Sequence, residues 1–198
     1  MNFLAHIYLS GDNEGVTIGN FIADGIKGKK YQKYPSTIQK GILLHRFIDS
    51  FTDSHPTVRK STKRLHEKHG HYSGVVVDIL YDHFLAKNWN QYSDTTLENY
   101  VNNFYEMLQD NYVMLPTRIQ RMMPYMIADN WLLSYATIPG IDKILTQMSV
   151  RVNGKSNMNF AVLELKEFYT EFEEEFTSFF EELRASCKEK LVEIEQKY

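Results

Sequence analysis

Hydrophobic residues recur every three or four positions along nearly the whole chain, and that spacing predicts helices. Val16, Ile18, Phe21, Ile22 and Ile26 form one run, between a polar break at 11–13 and the Lys-Gly-Lys-Lys break at 27–30. Pro35-Ser36 opens a second helix, whose apolar face carries Ile38, Ile42, Leu43, Phe47, Ile48 and Phe51. At Asp53-Ser54-His55-Pro56 the pattern stops and restarts. Ser54 or His55 can cap there, and Pro56 suits a first helical position. Gly70 ends the basic helix that follows, and a strongly apolar helix is expected from Tyr72 to Trp89. Ser93-Asp94 is expected to cap the next, with Tyr100, Phe104, Met107 and Leu108 facing inward. Pro116 and Pro124 punctuate a Met-rich stretch, and Pro139-Gly140 breaks the chain before Ile141 to Val152. Residues 152–157 read as a polar loop. Leu165, Phe168, Phe172, Phe176, Phe179, Leu183, Cys187 and Leu191 then step by three or four, which predicts one helix with an apolar stripe on an acidic rod. No stretch alternates long enough for a strand, and no repeat or linker divides the chain. The expected architecture is all-α, a single-domain helical bundle over residues 1–198.

Composition narrows the classes. In 198 residues, 43% are hydrophobic and 24% charged, which excludes disorder. The single cysteine, Cys187, excludes an intramolecular disulfide framework and a Cys-rich zinc site, and its place on the apolar stripe makes it a core residue. No apolar run reaches the roughly 20 residues of a membrane span. Residues 1–10 lack a basic start and carry His6, so they do not read as a signal peptide, and the expected location is cytoplasmic.

Charge is unevenly spread. Lys27 to Lys68 holds eleven Lys or Arg against Asp49, Asp53 and Glu67, a balance of +8, whereas Glu164 to Tyr198 holds eleven Glu against five Lys or Arg. The basic segment suggests an anionic partner, the alternative being an ordinary solvated helix surface. It interleaves few aromatics, so nucleic acid is not the expected partner.

Candidate chemistry lies where ionisable residues interrupt apolar helices. All seven His precede residue 84. His45 and Asp49 are four apart, one turn above each other, and Asp53 continues the row within an Ile/Leu/Phe helix. Asp78 and Asp82 repeat the spacing, with His83 next to them. Carboxylates on core-like faces are costly unless paired or bound to a cation. Carboxylate oxygens with imidazole suit Mn²⁺, Mg²⁺, Fe or Zn²⁺. Asp24 and His6 are further candidates. A metal site accounts for two Asp rows and two His better than a purely structural polar network, although a lone buried His such as His6 is commonly just hydrogen-bonded. Phosphate-binding glycine loops, a Gly-x-Ser-x-Gly elbow and a His-Glu-x-x-His motif are all absent from the sequence.

At these residues the chain resembles the acyl carrier protein phosphodiesterases. The matching stretches are Met1-Asn2-Phe3-Leu4-Ala5-His6, Gly19-Asn20-Phe21-Ile22-Ala23-Asp24, residues 41–49 with 51–56, and Asp78-Ile79-Leu80-Tyr81-Asp82-His83-Phe84-Leu85, with looser matches at Asn130-Trp131-Leu132 and Met148-Ser149-Val150-Arg151. The resemblance implies a helical fold distantly similar to the HD-type phosphohydrolases, whose His-Asp pair occurs here reversed as Asp82-His83. It implies hydrolysis of the 4′-phosphopantetheine arm from holo-acyl carrier protein with a divalent ion, typically Mn²⁺. It also implies a metal centre drawn from His6, Asp24, His45, Asp49, Asp78, Asp82 and His83. Arg46 is a candidate phosphoryl ligand, and Asp53 or His55 a candidate to orient water or protonate the leaving serine oxygen. Acyl carrier proteins are acidic, so the helix carrying Arg59, Lys60, Lys63 and Arg64 is expected to dock the carrier. Rival expectations are a nucleotide or small-molecule phosphohydrolase on a similar scaffold and a non-enzymatic helical binding module.

Overall fold

After a short α1 (Phe3–Tyr8), helices α2 (Glu14–Ile22), α3 (Ser36–Ser54), α4 (Pro56–His69) and α5 (Ser73–Lys87) follow the order that their apolar spacing predicts. After them come α6 (Leu97–Asp110), α7 (Thr117–Ala128), α8 (Trp131–Ser134), α9 (Ile138–Arg151), α10 (Ala161–Glu167) and α11 (Tyr169–Lys197). This computed structural model describes residues 1–197, and Tyr198, the last residue of the expected domain, lies outside them. All regular structure among the described residues is helical, so the all-α expectation holds. No helix among them is long and apolar enough to cross a membrane.

Local chemistry explains the boundaries that frame the site. The His55 side chain accepts from the Thr57 amide at 3.3 Å and Pro56 occupies the first turn, so α3 ends and α4 begins within two residues. Gly70 stops α4 at a φ of +53°, which glycine adopts without steric cost. Two expectations are corrected. The cap of α6 is Thr96, whose hydroxyl accepts from Asn99 N at 3.3 Å, while Ser93 only organises the preceding turn through Thr95 N. The final apolar stripe is also not one helix. It breaks at Phe168 (φ −115°, ψ 33°), which lets Glu164 of α10 turn inward and pair with Lys68 at 2.8 Å. In α7 the helix runs through Pro124 at the loss of one backbone hydrogen bond, held by buried Ile119, Met123 and Met126.

Two contacts position the site. The first is the crossing of α2 on α3 at Gly19 and Gly41. A Cβ on Gly19 would collide with the Ile38 carbonyl, and one on Gly41 with the Val16 carbonyl. Only glycine permits this approach, and it carries Asn20 and Asp24 up to His45. The second is the aromatic seam of α11 on α5. Phe172, Phe176, Phe179 and Phe180 are fully buried, and Tyr81 and Phe84 meet Phe176 at ring separations of 5.6 and 6.0 Å.

Candidate metal centre

Asn20 organises the centre. It is fully buried in the apolar face of α2. Its Nδ2 donates to the His6 carbonyl at 2.8 Å and to Ser10 Oγ at 2.9 Å, which orients the amide. Its Oδ1 then lies 2.8 Å from His6 Nδ1 and 3.2 Å from His45 Nδ1. A carbonyl oxygen only accepts, so both imidazoles carry their proton on Nδ1 and turn Nε2 the other way. The two rings stack at 4.1 Å. Both Nε2 atoms face Asp49, His6 at 3.3 Å from Oδ1 and His45 at 3.1 Å from Oδ2. His45 Nε2 also lies 3.1 Å from Asp24 Oδ1.

This donor set fits a divalent ion. Ligand atoms of His6, His45 and Asp49 lie within 4.8 Å of one another. Each imidazole presents Nε2 to that point while its other nitrogen is held by an outer acceptor, the arrangement that metal-binding histidines favour. The cluster sits in a cleft of about 420 Å³ that Asp24, Asp53 and Asp78 also line.

Electrostatics follow from this geometry. Burial alone would push His45 down, but the bonds from Asp24 and Asp49 outweigh it and hold the imidazolium up to about 9. Burial pushes His6 down despite Asp49. Burial alone would push Asp49 up, but the two imidazoles outweigh it and hold the carboxyl well below the usual carboxylate range. Asp53 on the rim is pushed up by partial burial and by Asp78 and Asp49.

The other predicted residues are placed elsewhere or differently. Asp78 reaches the cleft, where one oxygen pairs with the Met1 ammonium at 2.8 Å. Asp82 is fully buried and accepts from the amides of Asn2 (3.1 Å), Leu4 (2.7 Å) and Ala5 (3.4 Å). It caps α1 and so positions His6, with its oxygens already taken. His83 is one residue on, about 100° around α5, and faces away. Its two nitrogens meet the Tyr135 carbonyl at 2.7 Å and the Tyr169 hydroxyl at 2.9 Å. Arg46 points away from the cleft too. It donates to the carbonyls of Ile26 (3.0 Å) and Gly28 (2.7 Å), stacks on Tyr31 and braces the basic turn. His55 caps α4 and pairs with Glu182 at 3.2 Å. The sequence reading missed Asn20, although a buried amide inside Val16–Ile22 was the available signal. It also missed Arg118, Trp131 and Arg151, which line the cleft from α7, α8 and α9.

Fold and site therefore define an all-α protein with a paired-imidazole, carboxylate centre open to a cleft. The profile of the acyl carrier protein phosphodiesterase family matches residues 1–183. A relative of that name from Pectobacterium atrosepticum is 31% identical over 189 residues, covering 95% of this chain and 98% of its own length. Relatives of the same name from Serratia proteamaculans and Escherichia coli O157:H7 are each 28% identical over 191 residues, covering 96% of this chain and 99% of their own. The chain belongs to the acyl carrier protein phosphodiesterase family, a family of phosphodiester hydrolases. No solved structure matches it, so kinship with the HD-type hydrolases rests on sequence resemblance alone.

Proposed function

We propose that this protein hydrolyses the phosphodiester joining 4′-phosphopantetheine to the serine of holo-acyl carrier protein. A water oxygen bonds to phosphorus, the bond from phosphorus to the serine oxygen breaks, and that oxygen takes a proton. The products are the apo carrier and 4′-phosphopantetheine. The observation that carries the reading is the convergence of His6, His45 and Asp49 on one point in a cleft, in a member of this family. A divalent ion held there, Mn²⁺ in our reading, supplies a water of lowered pKa and neutralises phosphoryl charge. Asn20 keeps both ligand nitrogens aimed inward, and Asp24 and Asp49 set the charge around them. Asp53, with its carboxyl pushed up, suits delivery of the proton to the serine oxygen. Mass spectrometry of holo-carrier incubated with the protein and Mn²⁺ tests this reading. Loss of the prosthetic arm is the expected result, and an unchanged carrier mass would sink it.

Two consequences for the metal follow. Asn20→Ala frees both Nδ1 atoms and is expected to weaken Mn²⁺ binding about 10- to 100-fold. Asn20→Asp, which keeps the acceptor, is expected to lose less, and titration of the metal-free variants with Mn²⁺ measures both. The second concerns pH. A protonated His45 cannot ligate, and its imidazolium persists up to about 9 in the metal-free site. Protons therefore compete with the cation at neutral pH. Mn²⁺ affinity is expected to rise with pH by about tenfold per unit and to level off near pH 9. Affinity that stays flat from pH 6.5 to 8.5 would contradict this.

In our reading the docking surface extends beyond the α4 face. On α4, Lys60 and Arg64 are bound to Glu175 and Lys68 to Glu164, whereas Arg59 and Lys63 are exposed and form no ion pair among the described residues. We extend docking to the turn Gly28–Lys33, just beyond Asp24. There Lys29, Lys30 and Lys33, with Lys27 before them, are exposed and form no ion pair among the described residues. Lys29→Glu with Lys30→Glu is expected to raise KM for an acidic carrier about tenfold at low salt, with kcat nearly unchanged and the difference fading as salt rises. A small substrate held wholly within the cleft, which these lysines do not line, is expected to show a weaker effect of the double substitution.

A further inference from the structure

The helices that close the cleft on its other side carry two cations that the centre above does not use. Arg118 of α7 and Arg151 at the end of α9 both line the cleft. Neither pairs with a carboxylate among the described residues, whereas Arg64 and Arg184 both do. The Arg151 guanidinium lies over the Trp131 ring at 5.6 Å, which restrains the planar group against an aromatic face. The placement of Trp131 is itself built. Asn130 sits in the left-handed region (φ 44°, ψ 59°), a conformation that costs energy away from glycine and persists where the surroundings impose it. The Tyr105 hydroxyl braces this turn, donating to Asn130 Oδ1 at 3.3 Å and accepting from Leu132 N at 3.1 Å. Beside these groups the same wall is apolar, with Met122, Ile144 and Met148.

We propose that Arg118 and Arg151, the latter braced on Trp131, form a subsite for the phosphoryl group of a phosphate ester, and that the apolar residues beside them receive the aliphatic chain attached to it. The inference rests on the hydrolase reading and extends it to the product. Cleavage leaves a phosphomonoester with more negative charge than the diester, in a cleft that also holds Asp24, Asp49, Asp53 and Asp78. Two guanidiniums without carboxylate partners offset that repulsion and bind the planar array of phosphoryl oxygens by charge-assisted hydrogen bonds. Arg118 and Arg151 are exposed, so their replacement leaves the core untouched.

The experiment uses the full chain with Mn²⁺ and follows tryptophan fluorescence. The chain has two tryptophans. Trp89 is buried and donates to the Thr95 carbonyl at 2.7 Å, so a ligand in the cleft reports through Trp131. Inorganic phosphate and 4′-phosphopantetheine are expected to change the signal, and Trp131→Phe to abolish the change. Arg118→Ala and Arg151→Ala are each expected to weaken 4′-phosphopantetheine binding about 10- to 100-fold, with Arg151→Lys intermediate. Pantetheine, which lacks the phosphate, is expected to bind equally weakly to all of them, and Mn²⁺ affinity to stay as in the parent. A double Arg118→Ala, Arg151→Ala variant that binds phosphate and 4′-phosphopantetheine as the parent does would overturn the subsite, as would a parent that binds neither. The two readings fail separately. Arginine-dependent phosphate binding in a protein that leaves holo-carrier intact removes the substrate and keeps the subsite. Hydrolysis with arginine-independent product binding does the reverse.

Discussion

His45→Ala is expected to lower kcat/KM for holo-carrier by about a thousandfold or more, the scale of losing several kcal/mol of metal-derived stabilisation. Helix content by far-UV circular dichroism is expected to stay as in the parent. His45 meets Asn20, Asp24 and Asp49, so its removal takes away one ligand atom and the cation that holds two carboxylates together. Stability separates this role from a structural one. In the metal-free protein His45 is raised to about 9, above its ordinary value, so its protonated form stabilises the fold. That contribution is fully present below about pH 6.5 and is lost as pH rises through about 9. Thermal melts of the metal-free parent and variant are therefore expected to differ most at low pH and to converge above pH 9. Activity is expected to be lost at every pH. A variant that unfolds at all pH values, or one that keeps turnover, would show that the imidazole serves packing alone.

Arg64→Ala is expected to cost about 3 kcal/mol of stability, toward the lower end for breaking a buried pair because Lys60 still neutralises part of the charge. For a chain of this size that is a fall of about 6–12 °C in Tm. The two guanidinium nitrogens meet the two Glu175 oxygens at 2.7 Å each, and Glu175 is only 5% exposed. Ser61 also donates to Glu175 and meets the Tyr81 hydroxyl, while the guanidinium stacks on Phe172 at 4.8 Å. Removing Arg64 leaves a buried carboxylate with reduced compensation and uncovers that ring. Replacing Arg64 and Glu175 together by methionine is expected to recover most of the loss, because the desolvation penalty goes with the pair. Calorimetric unfolding of the single and double variants measures both, and a single variant that melts with the parent would refute the assignment. The expected loss would also bear on docking, since an Arg64 committed to Glu175 is not available to a carrier.

The row His45 and Asp49 was legible because a four-residue spacing on a helix fixes a shared face whatever surrounds it. Asp78 and Asp82 obey the same rule and yet part company. Asp78 reaches the cleft, while Asp82 is taken up by the amides at the start of α1. Nothing in the residues around Asp82 announces which backbone will arrive beside it. His83 illustrates the converse, for adjacency to Asp82 in sequence turns it some 100° away in a helix. Asn20 was passed over because a single amide carries no periodic signal. Its importance comes from standing where α1, α2 and α3 meet. The break at Phe168 escaped because the apolar stepping continues across it.

The sequence by itself determined the helices, most of their limits at Pro, Gly and capping residues, and the local pairing of His45 with Asp49, because each depends on spacing or backbone preference within a few residues. The tertiary structure alone decided which acids face the cleft, which basic residues are spent on Glu164 and Glu175, and that Asn20 orients two imidazoles from different helices. The physical reason is that hydrogen bonds and ion pairs between distant segments depend on how helices cross. Here that crossing is set by close contact at Gly19 and Gly41, which no short window of the chain contains.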